Sequence, residues 1–264
     1  MAVEIINNRR VGITRTGQGA PMLMLHCALA HRGALSPLMG HLKTRSFTAF
    51  DMPGHGESEF DKTAEIQAQA VETAVQLLEA TGPSEVFGHS FGATVALKLA
   101  LERPDLVLRL SLYEPVYFSI LAVSNPAAYA AEAKASAAFS SAALAQDWPA
   151  AASAFLARWS IEGFDKLPHT QKAYMLKTIP TVLASESSII APESGLALVS
   201  ALANLHVPTL LMDGETAPKV IGEINNALVA HALGIVRKTI PSAGHMGPIT
   251  HAAAVAAEIL KFSA

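Results

Sequence analysis

Apolar residues fall along this chain in short runs at strand length, separated by longer stretches where they recur at helical spacing. Residues 2–7 and 9–16 read as two strands joined by a tight turn at Asn7-Asn8, an opening hairpin. Met22-Leu23-Met24-Leu25-His26 suits a buried strand, 34–44 a helix, and Phe47-Thr48-Ala49-Phe50 another strand. That strand ends in Asp51-Met52-Pro53-Gly54-His55-Gly56-Glu57-Ser58, whose proline and glycines force a turn. Over 63–81, Ile66, Ala70, Val71, Ala74, Val75 and Leu78 share one helical face until Gly82-Pro83 stops it. A short strand, Glu85-Val86-Phe87, then precedes a helix over 93–100, and 106–113 reads as a further strand. Strands alternating with helices predict an α/β chain with a mostly parallel sheet covered on both faces.

Beyond this point the pattern changes. Residues 122–157 hold 17 alanines and few β-branched residues, which favours helices. The helical stretch continues to about residue 200, interrupted at Pro126, Pro149, Pro168, Pro180 and Pro192. Alternation returns with a strand at 207–213, a helix near 218–232, a strand at 235–240 and a closing helix near 249–262. A helical insertion between two parts of one sheet predicts a cap over its active edge. The expected division is a core of 1–115 and 201–264 with a cap of 116–200.

Composition narrows the classes. With 264 residues, a net charge of −3 and 16% charged residues, the chain has no basic surface to suggest nucleic acid and no acidic tail. A single cysteine, Cys27, excludes an internal disulfide framework and fits a reducing compartment. The first residues lack a basic segment followed by a long apolar one, and no apolar run approaches the ~20 residues needed to span a bilayer. A soluble, cytoplasmic protein acting on a small molecule is the expectation. None of the ten histidines forms a His-Glu-x-x-His pattern, so no metal is expected, and no cofactor.

The chemistry centres on Gly88-His89-Ser90-Phe91-Gly92, set between a strand and an alanine-rich helix. Flanking glycines allow a sharp turn that projects the serine hydroxyl, and the following helix aims its positive end at the same place. Such a serine needs a base, and the base an orienting acid. Pro241-Ser242-Ala243-Gly244-His245-Met246-Gly247-Pro248 puts His245 in a small-residue loop after the last strand, where it can reach back over the sheet edge.

With these motifs in their order, the chain resembles the α/β-hydrolase superfamily over essentially its whole length. The resemblance implies an α/β-hydrolase fold with a helical cap insertion, Ser90 as nucleophile and His245 as base. It also exposes a departure. Most members carry Asp three residues after the glycine that ends the seventh strand, and three after Gly214 stands Ala217. Three carboxylates keep the required chain order: Glu114 in Tyr113-Glu114-Pro115, Glu215 and Asp213. Glu114 leads, because haloalkane dehalogenases are similar in placing a catalytic Glu after the sixth strand. Related serine hydrolases with the usual Asp also carry Tyr-Glu-Pro. Glu215 and Asp213 therefore stay open as alternative acids.

The resemblance further implies an oxyanion hole from the Phe91 N–H and one N–H of the loop after the third strand. That loop reads His26-Cys27-Ala28-Leu29, with cysteine in place of the usual glycine. By position Cys27 or Ala28 donates, and Ala28 is favoured. Cys27 lacks an elbow and reads as a small buried hydrophobe rather than a nucleophile. The implied activity is hydrolysis of a small carboxylic ester or thioester through an acyl-enzyme. C–C bond, lactone or amide hydrolysis would use the same residues, and a ligand-binding protein that keeps the fold without catalysis is the other class. Of Tyr117, Phe118, Phe139, Trp148, Phe155 and Trp159, two or three are expected to line the pocket.

Overall fold

Asn7 and Asn8 both take left-handed backbone angles, φ 50° and 59°, and so close the hairpin between β1 (Ala2–Ile6) and β2 (Arg9–Gly17). Asparagine tolerates this region better than most residues, and the twist of such a turn suits the strands beside it. The structure is a computed structural model describing residues 2–159 and 163–264. Met1 of the expected core and residues 160–162 of the expected cap lie outside the described residues.

The remaining strands are β3 (Ala20–Leu25), β4 (Arg45–Phe50), β5 (Ser84–His89), β6 (Val107–Tyr113), β7 (Thr209–Gly214) and β8 (Ile235–Ile240). They form one eight-stranded sheet of order β1-β2-β4-β3-β5-β6-β7-β8, in which β3 to β8 run parallel and the first hairpin runs antiparallel. Alternate residues of the central strands face opposite layers, as the pleat requires. Leu23, Leu25, Val86, Leu110, Leu112 and Leu211 join the core under α2 (Ile66–Thr81), α3 (Phe91–Glu102) and α11 (Lys219–His231). Met22, Met24, Phe87, Tyr113, Leu210 and Met212 join a second core under α1 (Ser36–His41) and α13 (Ala252–Ser263). Helices therefore cover both faces, as the alternating pattern predicts.

Between β6 and β7 the described residues are mostly helical, in α4 (Ser119–Ser124), α5 (Pro126–Leu144), α6 (Trp148–Arg158), α7 (His169–Thr178), α8 (Pro180–Ala184), α9 (Glu186–Ile189) and α10 (Pro192–Leu202). The five prolines that break the pattern each stand at a helix start: Pro126, Pro180 and Pro192 open α5, α8 and α10, Pro149 is the second residue of α6, and Pro168 caps α7. A first-turn proline forfeits only an N–H that has no helical partner. Phe139, Ala143, Ala151, Ala152, Leu156, Phe164 and Ile179 give this segment a small core of its own.

Two expected helices are shorter than their patterns. Residues 34–44 hold only α1, because Arg32–Leu35 winds as a 3₁₀ turn whose Arg32 is drawn into the molecule by Asp51 and Glu57. The closing helix is split at His251 into α12 (Gly247–Thr250) and α13. Among the described residues no helix is long and apolar enough to cross a membrane.

Candidate active site

Strand order reverses around β3: the chain passes from β3 to β4 on one side and returns to β5 on the other. In open parallel sheets ligands settle at the carboxyl ends of the strands flanking such a reversal. Ser90 follows β5 there, and the loop His26-Cys27-Ala28 follows β3.

Ser90 sits at φ 56° and ψ −118°, a strained conformation for a residue with a side chain. Two close approaches fix it. A Cβ on Gly88 would meet the Gly92 carbonyl and the Ala93 Cα, and one on Gly92 would meet the Leu25 and His26 carbonyls. Only glycine lets the strand and helix cross so tightly. The Ser90 N–H donates to the Tyr113 carbonyl at 2.9 Å, tying the turn to the end of β6.

The structure brings three of the expected residues into one line. His245 Nε2 lies 3.0 Å from Ser90 Oγ, and His245 Nδ1 lies 2.6 Å from Glu114 Oε2. Glu114 Oε1 accepts the Gly214 N–H at 2.8 Å. Glu114 is wholly buried and turns out of β6 at φ 49°, its own N–H donating to the Met212 carbonyl. The other two carboxylates are engaged elsewhere. Asp213 accepts from Arg237, Thr239 and Asn225, and Glu215 accepts the Ser242 N–H at 2.8 Å on the outer side of the histidine loop. Neither is joined to the imidazole, and Ala217 leaves the seventh-strand position without a carboxylate.

Burial shifts both partners toward their neutral forms. It pushes Glu114 up to about 7, against the pull of the Gly214 N–H, and pushes His245 down to about 3, helped by the Arg158 guanidinium. At neutral pH the imidazole is therefore uncharged. With Nδ1–H donating to the carboxylate, Nε2 keeps its lone pair toward the serine.

Several holding contacts were invisible in the sequence. Trp159, just past α6, lies face to face on the His245 ring, with centroids 4.1 Å apart and planes 26° off parallel. His89 Nε2 donates to the His245 carbonyl at 2.7 Å, and Tyr113 Oη donates to that of Gly244 at 2.8 Å. The one local signal was adjacency, since Tyr113 and His89 each neighbour a residue already singled out.

On the opposite side, Leu29 takes φ 59° and donates its N–H to His55 Nε2 at 3.1 Å. His55 in turn faces the Pro53 carbonyl through Nδ1, and burial lowers its pKa to about 4, so it stays a neutral acceptor. Tyr174 of α7 donates to the Ala30 carbonyl and accepts the Gly56 N–H, clasping the same loop. Among the described residues no hydrogen bond engages the Ala28 N–H. Cys27 is buried and burial pushes its thiol up to about 12, so it is an unreactive wall residue.

Two cavities meet at Ser90. The larger, about 290 Å³, is lined by Phe91, Val116, Phe118, Phe139 and Ile189 with Glu132, Arg158 and Glu186. The smaller, about 190 Å³, is lined by Cys27, Leu29, Gln171, Met175, His245 and Met246. Ala28, Ser90, Phe155 and Trp159 border both. Four of the six candidate aromatics thus line the pocket, one or two more than expected: Phe118, Phe139, Phe155 and Trp159. Tyr117 and Trp148 line separate clefts, because α2 and α8 draw them away from Ser90.

A model of the alpha/beta hydrolase family matches residues 22–258. Among curated proteins, (E)-2-((N-methylformamido)methylene)succinate hydrolase of Acinetobacter baylyi is 30% identical over 119 residues, covering 44% of this chain and 45% of that protein. Lipase LipV of Mycobacterium tuberculosis is 36% identical over 106 residues, 39% of this chain and 41% of the lipase. The matched stretches span less than half the length of either relative. An alpha/beta hydrolase of Sphaerobacter thermophilus aligns over 100% of both chains with a TM-score of 0.73 at 20% identity, a likeness of fold.

Proposed function

From the premise that this chain belongs to the alpha/beta hydrolase family, we propose that it is a serine hydrolase cleaving a small carboxylic ester or thioester through an acyl-enzyme. One observation carries the reading: the unbroken hydrogen-bonded line from Glu114 through His245 to Ser90.

In this reading Ser90 Oγ attacks the substrate carbonyl as His245 Nε2 takes its proton. The bond from Oγ to carbon forms while the carbonyl π pair moves to oxygen. That oxyanion is held by the Phe91 and Ala28 N–H groups. Glu114 faces the imidazolium and stabilises its charge. Collapse expels the leaving group, which takes the proton from Nε2. Water then repeats the sequence, giving its proton to Nε2 and releasing the acid and Ser90. Residues 116–200 act as a cap over a core of 1–115 and 201–264, closing the site with Phe155, Trp159 and Tyr174.

A fluorophosphonate probe tests the reading on the purified protein. It should label the native chain and fail to label Ser90→Ala or heat-denatured protein. A folded, unlabelled wild type that also leaves simple esters intact would overturn it.

A further inference from the structure

The two cavities at Ser90 differ in one respect that chemistry can use: His245 borders the smaller and is absent from the walls of the larger. In ester cleavage the departing oxygen or sulfur must take its proton from the general acid, here His245 Nε2. The leaving group therefore has to extend on the imidazole's side of the reacting carbon, into the cavity of about 190 Å³ with Met246, Gln171 and Met175. Ala28 and Phe91 fix where the carbonyl oxygen points. The third substituent, the acyl arm, is left with the cavity of about 290 Å³ walled by Val116, Phe118, Phe139 and Ile189.

Charge in that larger cavity is balanced against anions. Its one cation among the described residues, Arg158, is paired with Glu132, whose other oxygen accepts the Ser136 hydroxyl at 3.0 Å. Glu186 adds a second carboxyl whose pKa burial raises. A carboxylate on the acyl arm would lose water and meet two carboxyls against one guanidinium already engaged. Arg158 Nε is buried with no partner among the described residues, and one neutral carbonyl or hydroxyl oxygen would satisfy it.

We propose that the substrates are esters or thioesters of an uncharged, largely apolar acyl group with a smaller leaving group, the acyl arm in the larger cavity and the leaving group in the smaller. This assignment rests on the serine-hydrolase reading above. The leaving alkoxide or thiolate takes its proton from Nε2 as its bond to carbon breaks, and the acyl group stays on Ser90 Oγ.

Isomeric esters with the arms exchanged test it on the full chain. Methyl hexanoate and pentyl acetate have the same atoms, and monomethyl adipate adds a carboxylate to the acyl arm. Expected is a kcat/KM for methyl hexanoate at least about tenfold above pentyl acetate and about thirtyfold above monomethyl adipate. Ala138→Phe, which fills the larger cavity, should lower the hexanoate-to-acetate ratio at least about fivefold. Gln171→Phe, which fills the smaller, should raise it. Equal or reversed preference, a preference for the adipate, or both variants moving the ratio the same way would overturn the assignment. Fluorophosphonate labelling run in parallel separates the two failures. A labelled serine with reversed preference defeats the arm assignment alone, whereas no labelling and no turnover of any ester defeats both.

Discussion

Glu114 and Glu215 make a direct comparison, because each carboxylate accepts a backbone N–H and only Glu114 also reaches the base. In Glu114→Gln the amide can donate to Nδ1, which would fix the proton on Nε2 and leave nothing to accept the serine proton. Turnover should fall by about 10⁴, the size expected for a wrong tautomer. Glu215→Gln keeps an oxygen for the Ser242 N–H and should stay within about twofold of wild type. Steady-state kinetics on one ester decides, and the reverse ranking would move the acid role to Glu215. The same pair sets the acid limb of activity. Adding a proton to the Glu114–His245 pair destroys its basic form, and Glu114 is pushed up to about 7. Accordingly kcat/KM should rise with pH to a plateau above about pH 7. The place of Glu114 beside His245 was legible in the sequence because Ala217 vacates the usual position. Trp159 was legible only as a candidate pocket wall; its stacking on His245 depends on how α6 packs, which nothing local to residue 159 encodes.

At the level of elements, the turn from β5 to α3 was the most legible part of the chain. Its glycines, the short apolar run and the alanine-rich helix all agree locally, and agreement across levels is what specifies structure. The cost of breaking it can be stated. A methyl at residue 92 would collide with the carbonyls of Leu25 and His26, which are main chain and cannot rotate away. Gly92→Ala should therefore lower the denaturant midpoint by the equivalent of about 1–3 kcal/mol and reduce turnover by tilting α3 off β3. Unchanged stability would mean that the helix has slack the packing does not suggest. The less legible elements fail for tertiary reasons. Residues 34–44 carry a helical pattern, yet the first turn follows Arg32 inward to Asp51 and Glu57, carboxylates 19 and 25 residues away. Prolines read as interruptions turn out to be starts. A break and an N-terminus look alike until the preceding segment is known to have ended.

At the scale of the molecule, four histidines among the described residues are buried: His26, His55, His89 and His245. Burial lowers the pKa of each, to about 4 for His55 and about 3 for His89 and His245, against 6.5 for the free side chain. Below pH 6.5 the unfolded chain binds protons that the native one refuses, so stability falls as pH falls toward 4. Glu114, raised in the native state, offsets one of these protons between about pH 7 and 4.5. The histidines outweigh that one carboxyl, so the net effect is a loss of stability as pH falls from 6.5 toward 4.5. Urea midpoints between pH 7.5 and 4.5 measure it, and a flat profile would refute the uncharged state of these histidines. The hydrogen bond that Ser90 donates to His245 also spans 155 residues of chain. During synthesis at roughly 5–20 residues per second, Ser90 leaves the ribosome about 8–30 s before His245 does. Throughout that interval the nascent polypeptide carries the Ser90 hydroxyl without the imidazole it will face. The two side chains can meet only after the segment that carries His245 has emerged and closed on the sheet.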